Sequence, residues 1–343
     1  MVIKAIAFSE RGMALGEKLS AALAEEICAE GVHKAELSLE RCASGGLADW
    51  TESAWGTSDA LLFLGSCGIA VRAIAPYVKK KTEDPAVVVM DELGTYAIPI
   101  LSGHLGGANE LAVRLARAAG ALPVVTTATD INGLFAADDW ARSQGLAVAN
   151  PEKIKWVSSR LLAGERLKLK SLYDIEGDMP DCLEYAETGY DILVSHRSRG
   201  SAEALRLVPR IVTLGVGCHR NIELDALEEA FSAVLAKSGC HRLAVFQAAS
   251  LDLKKDEPAL VEFCRRHGFP FKTYTAGELT AVPGEYSGSE FVKKITGVDN
   301  VCERAAVLAS GGRLINKKEA GNGITMALAI KEPSLKWKGA VNG

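Results

Sequence analysis

The feature that most restricts what this chain can fold into is the return of short strand-like runs with helical patterns between them. Through the first third of the chain such runs lie at Ile3–Phe8, Ala60–Leu64, Ala86–Met90, Tyr96–Ile100 and Pro123–Thr127. Between them are helical patterns at Met13–Ala29 and Ala108–Ala119, the second stopped by Gly120. Such alternation predicts a three-layer α/β domain with a mostly parallel sheet. From 134 to 209 the signal weakens, apart from a charged helical piece at Pro151–Ala163. The alternation then returns with Ile211–Leu214, a helix from Leu224, Leu243–Ala248, a helix at Glu257–His267, Phe271–Tyr274 and Ile324–Ile330. With 343 residues to divide, we expect two α/β lobes, 1–133 and 210–332, joined by a small middle region at 134–209. A tail at 333–343 should fray.

Charge and cysteine usage exclude several classes. The formal net charge is −4, and the densest basic stretch is only Lys79-Lys80-Lys81, so no basic face for nucleic acid is expected. Met1 to Phe8 is too short for the apolar region of a signal peptide. The most apolar stretch, Ala60 to Val71, carries two glycines and stops at Arg72, so no membrane span is expected. The eight cysteines include no CxxC pair and read as reduced thiols of a cytoplasmic protein. Neighbours such as Cys218-His219 point in different directions along a strand, which argues against a metal site.

Ligands of open α/β sheets gather beyond the carboxyl ends of strands, and three junctions in the first lobe have suitable chemistry. Leu64-Gly65-Ser66-Cys67-Gly68 leads into a helix carrying Arg72, so helix-terminal amides and a cation could hold an anion. Leu101-Ser102-Gly103-His104-Leu105-Gly106-Gly107-Ala108-Asn109 sets one histidine among three glycines before a helix. A neutral imidazole there could serve as general base, with backbone amides free to face a ligand oxygen. Thr126-Thr127-Ala128-Thr129-Asp130 ends the third strand in hydroxyls and a carboxylate. In the second lobe Gly215-Val216-Gly217-Cys218-His219-Arg220-Asn221 approaches the dinucleotide fingerprint, but Asn221 replaces its last glycine.

Taken in order, these segments resemble the cobalt-precorrin-5A hydrolases of the anaerobic cobalamin pathway. The resemblance is densest from Gly65 to Asp130, through Gly68–Pro76, Lys81–Val89, Asp91–Gly94, Leu101–Asn109 and Thr126–Asp130. It resumes at Leu214–Cys218, Ser250–Glu257, Phe291-Val292, Thr296–Val298 and Val301–Glu303, and so covers most of the chain. The departures are His219 and Asn221, where Arg and Gly are usual, and Arg304, where Pro is usual.

The resemblance implies an anionic cobalt macrocycle as substrate, fringed with acetate and propionate groups, with one acetate closed as a lactone onto the extruded meso carbon. Hydrolysis opens the lactone and expels that carbon with its methyl as acetaldehyde. It needs an activated water, an oxyanion donor and a proton path. The macrocycle accepts electron density and brings its own cobalt, so no resident cofactor or protein-bound metal is expected. From the residues, we assign His104 as general base, with Asp91, Glu92 and Asp130 as alternative carboxylates. Substrate contacts fall to Gly65, Ser66, Gly68 and Arg72, to Ser102, Gly103, Gly106, Gly107 and Asn109, to Thr126 and Thr127, and to Gly215, Gly217, Cys218 and Arg220. A nicotinamide-dependent oxidoreductase of the same pathway and a non-catalytic corrinoid carrier are the rival classes, and a homodimer is compatible with all three.

Overall fold

Ala60–Leu64 and Ala86–Met90 are apolar at all positions, and every one of these residues is buried, as befits central strands covered on both faces. The computed structural model describes residues 1–30, 36–80, 83–103 and 106–337. They form two units, Met1–Arg142 with Ser158–Gly164, and Ser143–Val157 with Glu165–Gly343.

The first unit is built from β1 (Val2–Ala7), α1 (Glu10–Glu30), β2 (Glu36–Arg41), α2 (Leu47–Trp55), β3 (Ala60–Leu64), α3 (Cys67–Ile74) and β4 (Ala86–Met90). It continues with β5 (Tyr96–Leu101), α4 (Ala108–Ala119), β6 (Leu122–Pro123), α5 (Ala128–Ile131) and α6 (Ala137–Ser143). Its six-stranded sheet has the order β2-β1-β3-β4-β5-β6. The first four strands are mutually parallel, β5 runs antiparallel to β4, and β6 follows β5. Alternate residues serve opposite cores: Leu62, Leu64, Val88 and Met90 meet Leu19 of α1 and Leu111 of α4, whereas Leu61, Phe63, Val87 and Val89 meet Ala54 of α2 and Ala70 of α3. The strand expected at Pro123–Thr127 is shorter than its pattern. Only Leu122 and Pro123 pair with β5, and the threonines after them lie outside the sheet.

In the second unit, β7 (Leu146–Val148) and α7 (Glu152–Leu162), whose residues from Ser158 count with the first unit, precede β8 (Leu167–Ser171), β9 (Ile175–Glu176), β10 (Leu183–Tyr185), β11 (Ile192–Val194) and β12 (Leu205–Pro209). The stretch with the weakest pattern thus contains a five-stranded sheet, β10-β8-β11-β12-β7, in which only β7 is antiparallel. Its strands are of three to five residues, too short to show a period.

A second sheet follows from β13 (Val212–Cys218), α8 (Leu224–Ser238), β14 (Val245–Leu251), α9 (Pro258–His267) and β15 (Phe271–Tyr274). Then come α10 (Ala276–Thr280), α11 (Glu290–Thr296), α12 (Cys302–Ser310), β16 (Arg313–Gly321), β17 (Ile324–Ile330) and β18 (Leu335–Lys336). Its order is β15-β14-β13-β17-β16, with β13, β14 and β15 parallel and β17 antiparallel to both β13 and β16. Phe231 of α8 and Phe263 of α9 pack edge-to-face on one side, with ring centroids 5.4 Å apart. Ala305 of α12 and Leu279 of α10 cover the other side. The tail expected to fray from 333 is pinned over its described part, and 338–343 lie outside the described residues. Leu335 and Lys336 pair with β9, and Leu335 and Trp337 are buried. Among the described residues, no helix is long and apolar enough to cross a membrane.

Gly215 shows how closely α12 approaches β13, because a Cβ there would lie 1.8 Å from the Cys302 carbonyl oxygen. Gly215→Ala should therefore force the helix off the sheet and destabilise the protein by about 1–3 kcal/mol. Thermal denaturation followed by circular dichroism checks this, and an unchanged midpoint would refute the contact.

Candidate functional site

The reversal at β5 divides the candidate residues of the first unit between opposite ends of its sheet. Gly65, Ser66, Gly68, Arg72, Asp91 and Glu92 follow the carboxyl ends of β3 and β4. Ser102, Gly103, Gly106, Gly107 and Asn109 follow β5, and Thr126 and Thr127 follow β6, at the end where β3 and β4 begin. A five-residue strand separates the two ends by about 16 Å, and helices cover both faces between them.

At the β5 end the glycine loop is tightly folded. Ser102 has φ 55°, a left-handed conformation that bends the chain away from the strand. Its carbonyl accepts from Ala108 N at 3.1 Å, the Gly103 carbonyl accepts from Asn109 N at 3.0 Å, and Ser102 Oγ donates to the Asp84 carbonyl at 3.0 Å. A Cβ on Gly106 would lie 2.4 Å from the Ser102 Cβ, so only glycine fits there. Gly107, at φ 83°, begins α4 with its Cα under the Arg142 guanidinium, which is held in turn by Glu110 and Asp139. Asn109 Nδ2 donates to Thr127 Oγ1 at 2.9 Å, tying this loop to the threonine segment. The structure therefore brings Ser102, Gly103, Gly106, Gly107, Asn109 and Thr127 together. Thr126 is exposed beside them, and Asp130 lies in α5. His104 lies outside the described residues.

Gly106 also borders an open cleft of about 530 Å³, walled by Trp55, Gly56, Ser58, Asp59, Lys79, Glu83, Asp84 and Pro85. These residues precede β3 and β4 or end α2, and our sequence assignment contained none of them. The signal that could have found them is Glu83-Asp84-Pro85, acidic residues immediately before a wholly apolar strand. Asp84 is only 6% exposed. Its two carboxylate oxygens share one amide, Lys79 N, at 3.1 and 3.0 Å.

At the opposite end, Ser66 and Gly68 are exposed at the start of α3, and the Arg72 guanidinium folds back over Gly68. Asp91 is occupied by its own turn. Its oxygens accept from Leu93 N at 3.0 Å, Thr95 N at 2.9 Å and Tyr96 N at 2.7 Å, and Gly94 N closes the turn on the Asp91 carbonyl at 2.9 Å. Burial alone would raise its pKa, but these donors hold it below the ordinary aspartate value. Such a carboxylate is a poor proton acceptor. Glu92 accepts from Ser9 Oγ at 2.5 Å.

In the second unit Gly215 faces α12, with its Cα covered by the Cys302 carbonyl. Gly217 adjoins Thr325, whose hydroxyl donates to the Gly217 carbonyl at 3.2 Å. Both glycines thus serve contacts within the protein. Burial pushes the Cys218 thiol up to about 11, which leaves it protonated at neutral pH. Arg220 is exposed. Asn221 takes a left-handed φ of 57° and donates its amide to Glu257 at 2.8 Å. Asn tolerates that conformation better than most residues, which explains how it stands where the resembling family has glycine.

Two family descriptions match the chain, Cobalamin synthesis G N-terminal over residues 49–130 and Cobalamin synthesis G C-terminus over residues 212–329. The chain is similar to the cobalt-precorrin-5A hydrolase of Salmonella typhimurium, at 36% identity over 301 residues, covering 83% of this chain and 86% of that protein. It is similar to the cobalt-precorrin-5A hydrolase of Priestia megaterium at 31% identity over 310 residues, 84% and 82% of the two chains. Among solved structures, a cobalamin biosynthesis protein G homolog from Sulfolobus solfataricus aligns over 96% of both chains at 22% identity, with a TM-score of 0.40.

The turn around Asp91 makes a pH-dependent prediction. A carboxyl with a lowered folded pKa contributes stability above its unfolded value, and that stability is lost as pH falls through the folded value. Asp91→Asn should be less stable than wild type by about 1–2 kcal/mol at neutral pH. The two proteins should converge in acid, well below the ordinary aspartate value of 3.8. Urea denaturation across pH measures this, and a difference independent of pH would rule out the ionised cap.

Proposed function

The chain belongs to the cobalamin synthesis G family, and on that premise we propose that it hydrolyses cobalt-precorrin-5A to cobalt-precorrin-5B and acetaldehyde. The observation that carries the reading is the reach of the match, which spans both family regions and most of the length of the hydrolases it resembles. In this reading the site is the β5 end of the first unit, where the glycine loop, Asn109 and Thr127 adjoin the open cleft.

The chemistry balances with water as the only co-reactant. A base takes one proton of water while its oxygen bonds to the lactone carbonyl carbon. The carbonyl π electrons move to oxygen, and an amide that lacks an internal acceptor can stabilise the oxyanion. The Gly106 N–H, at the cleft, suits that task. Collapse breaks the bond to the alkyl oxygen, which takes a proton and leaves a free acetate and an alcohol on the extruded carbon. Loss of the alcohol proton forms the C=O of acetaldehyde and breaks the carbon–carbon bond to the ring. The macrocycle accepts that electron pair, and the ring carbon is then protonated. No organic cofactor enters, and the cobalt belongs to the substrate.

Anaerobic incubation with cobalt-precorrin-5A should release one acetaldehyde per macrocycle. Tight binding without acetaldehyde would favour a carrier and overturn the hydrolase reading. Gly106→Ala, which must displace Ser102, should lower kcat by at least about ten-fold if oxyanion support is lost, and steady-state acetaldehyde kinetics would detect it.

A further inference from the structure

Resting on the hydrolase reading, we propose that Asp84 is the catalytic carboxylate that holds the attacking water and accepts its proton. Four carboxylates in the described structure are nearly or fully buried: Asp84, Asp138, Glu257 and Glu303. Three of them have their charge answered internally. Glu303 accepts from Ser287 N at 2.8 Å, Ser287 Oγ at 3.1 Å, Asn300 Nδ2 at 2.8 Å and Lys318 N at 2.7 Å. Glu257 takes the Asn221 amide and pairs with Lys254 at 3.2 Å. Asp138 sits in the first turn of α6, where the helix dipole favours a negative charge.

Among the described residues, Asp84 pairs with no cation and stands at no helix terminus. One amide, shared by both oxygens, is the only donor that reaches its carboxylate among the described residues. An ionised carboxylate can accept about four hydrogen bonds, and leaving one short of donors in a buried place is unfavourable. Among the described residues no other donor reaches Asp84, the cleft it borders offers an approach, and water is the smallest molecule that can supply further donors there. The Asp84 main chain is also bonded to Ser102, so the carboxylate is held in fixed relation to Gly106. Base and oxyanion donor thus lie in one cleft.

The charge of the cleft selects the arm of the substrate that can enter it. Among the described residues of the lining, Asp59, Glu83 and Asp84 oppose one cation, Lys79, and Glu83 is itself paired with Lys80 at 3.2 Å. Ionised acetate and propionate arms are repelled by such a lining. The lactonised acetate is uncharged, so it alone approaches without penalty. Ring opening turns it into an anion, and the same repulsion then favours departure of the product. In atoms, the O–H bond of water breaks as its oxygen bonds to the lactone carbon. The proton goes to Asp84, which returns it to the alkyl oxygen as the carbon–oxygen bond breaks.

The test is acetaldehyde release by the full chain, with cobalt-precorrin-5A binding measured separately by calorimetry. Asp84→Asn keeps an oxygen for the Lys79 amide but takes no proton. It should bind substrate with near-normal affinity and turn over at least about a hundred-fold more slowly. Should that variant not fold, Asp84→Ser with added formate takes its place. Formate should restore turnover, whereas chloride at the same ionic strength should not. Near-normal turnover by folded Asp84→Asn, or a folded Asp84→Ser that formate leaves inert, would overturn the role of Asp84 while leaving the function standing. A wild-type protein that binds the substrate but releases no acetaldehyde would overturn the function and this role together.

Discussion

Burial of the central strands on both faces is the constraint from which the rest of this structure follows. β3 and β4 send alternate residues into two different cores, and helices close over each. The main-chain polar groups of these strands must be satisfied within the sheet, and no ligand can reach them through the covering helices. Chemistry is confined to the two ends of the sheet. β13 of the second unit is covered in the same way, by α8 and α9 on one side and α12 on the other. There the covering helix approaches so closely that Gly215 has no room for a side chain.

Within that frame, one short turn decides at which end of the sheet the glycine loop of the first unit lies. Residues 91–95 connect β4 to β5 too briefly for a crossover, so β5 must return antiparallel. Asp91 stabilises this reversal by accepting three amides of its own turn. The glycine loop is thereby delivered to the end where β3 and β4 begin, beside Asp59 and Asp84. Two aspartates a few residues apart stand in different surroundings: Asp91 accepts three amides and builds the turn, while buried Asp84 accepts one amide among the described residues and borders a cleft.

Departures from the resembling family are absorbed by local physics. Asn221 adopts the left-handed conformation that a glycine would occupy there. Arg304 lies over the Tyr286 ring at 4.5 Å, pairs with Asp299 at 3.0 Å and donates to the carbonyls of Leu279, Thr280 and Val282. It thereby fastens the end of α10 and the segment after it to α12. Glu303, its neighbour, binds Ser287 and the Lys318 amide from the other side. These two adjacent residues hold an irregular stretch that has few apolar side chains of its own.

The sequence by itself determined the α/β class, the strands Ala60–Leu64, Ala86–Met90, Phe271–Tyr274 and Ile324–Ile330, and the helix Ala108–Ala119. Those elements carry their period or their apolar run locally, and the family is legible because its motifs are contiguous. The reversal at β5 was also present in the sequence, as a connection of five residues, but strand patterns do not state direction. The middle sheet escaped notice because strands of three residues have no measurable period. The pinned tail escaped because Leu335 acquires its partner from β9, about 160 residues earlier in the chain. Only the tertiary structure could separate Asp91 from Asp84. Burial, the number of donors and the presence of a cleft depend on residues that β-pairing brings together, and no spacing along the chain encodes them.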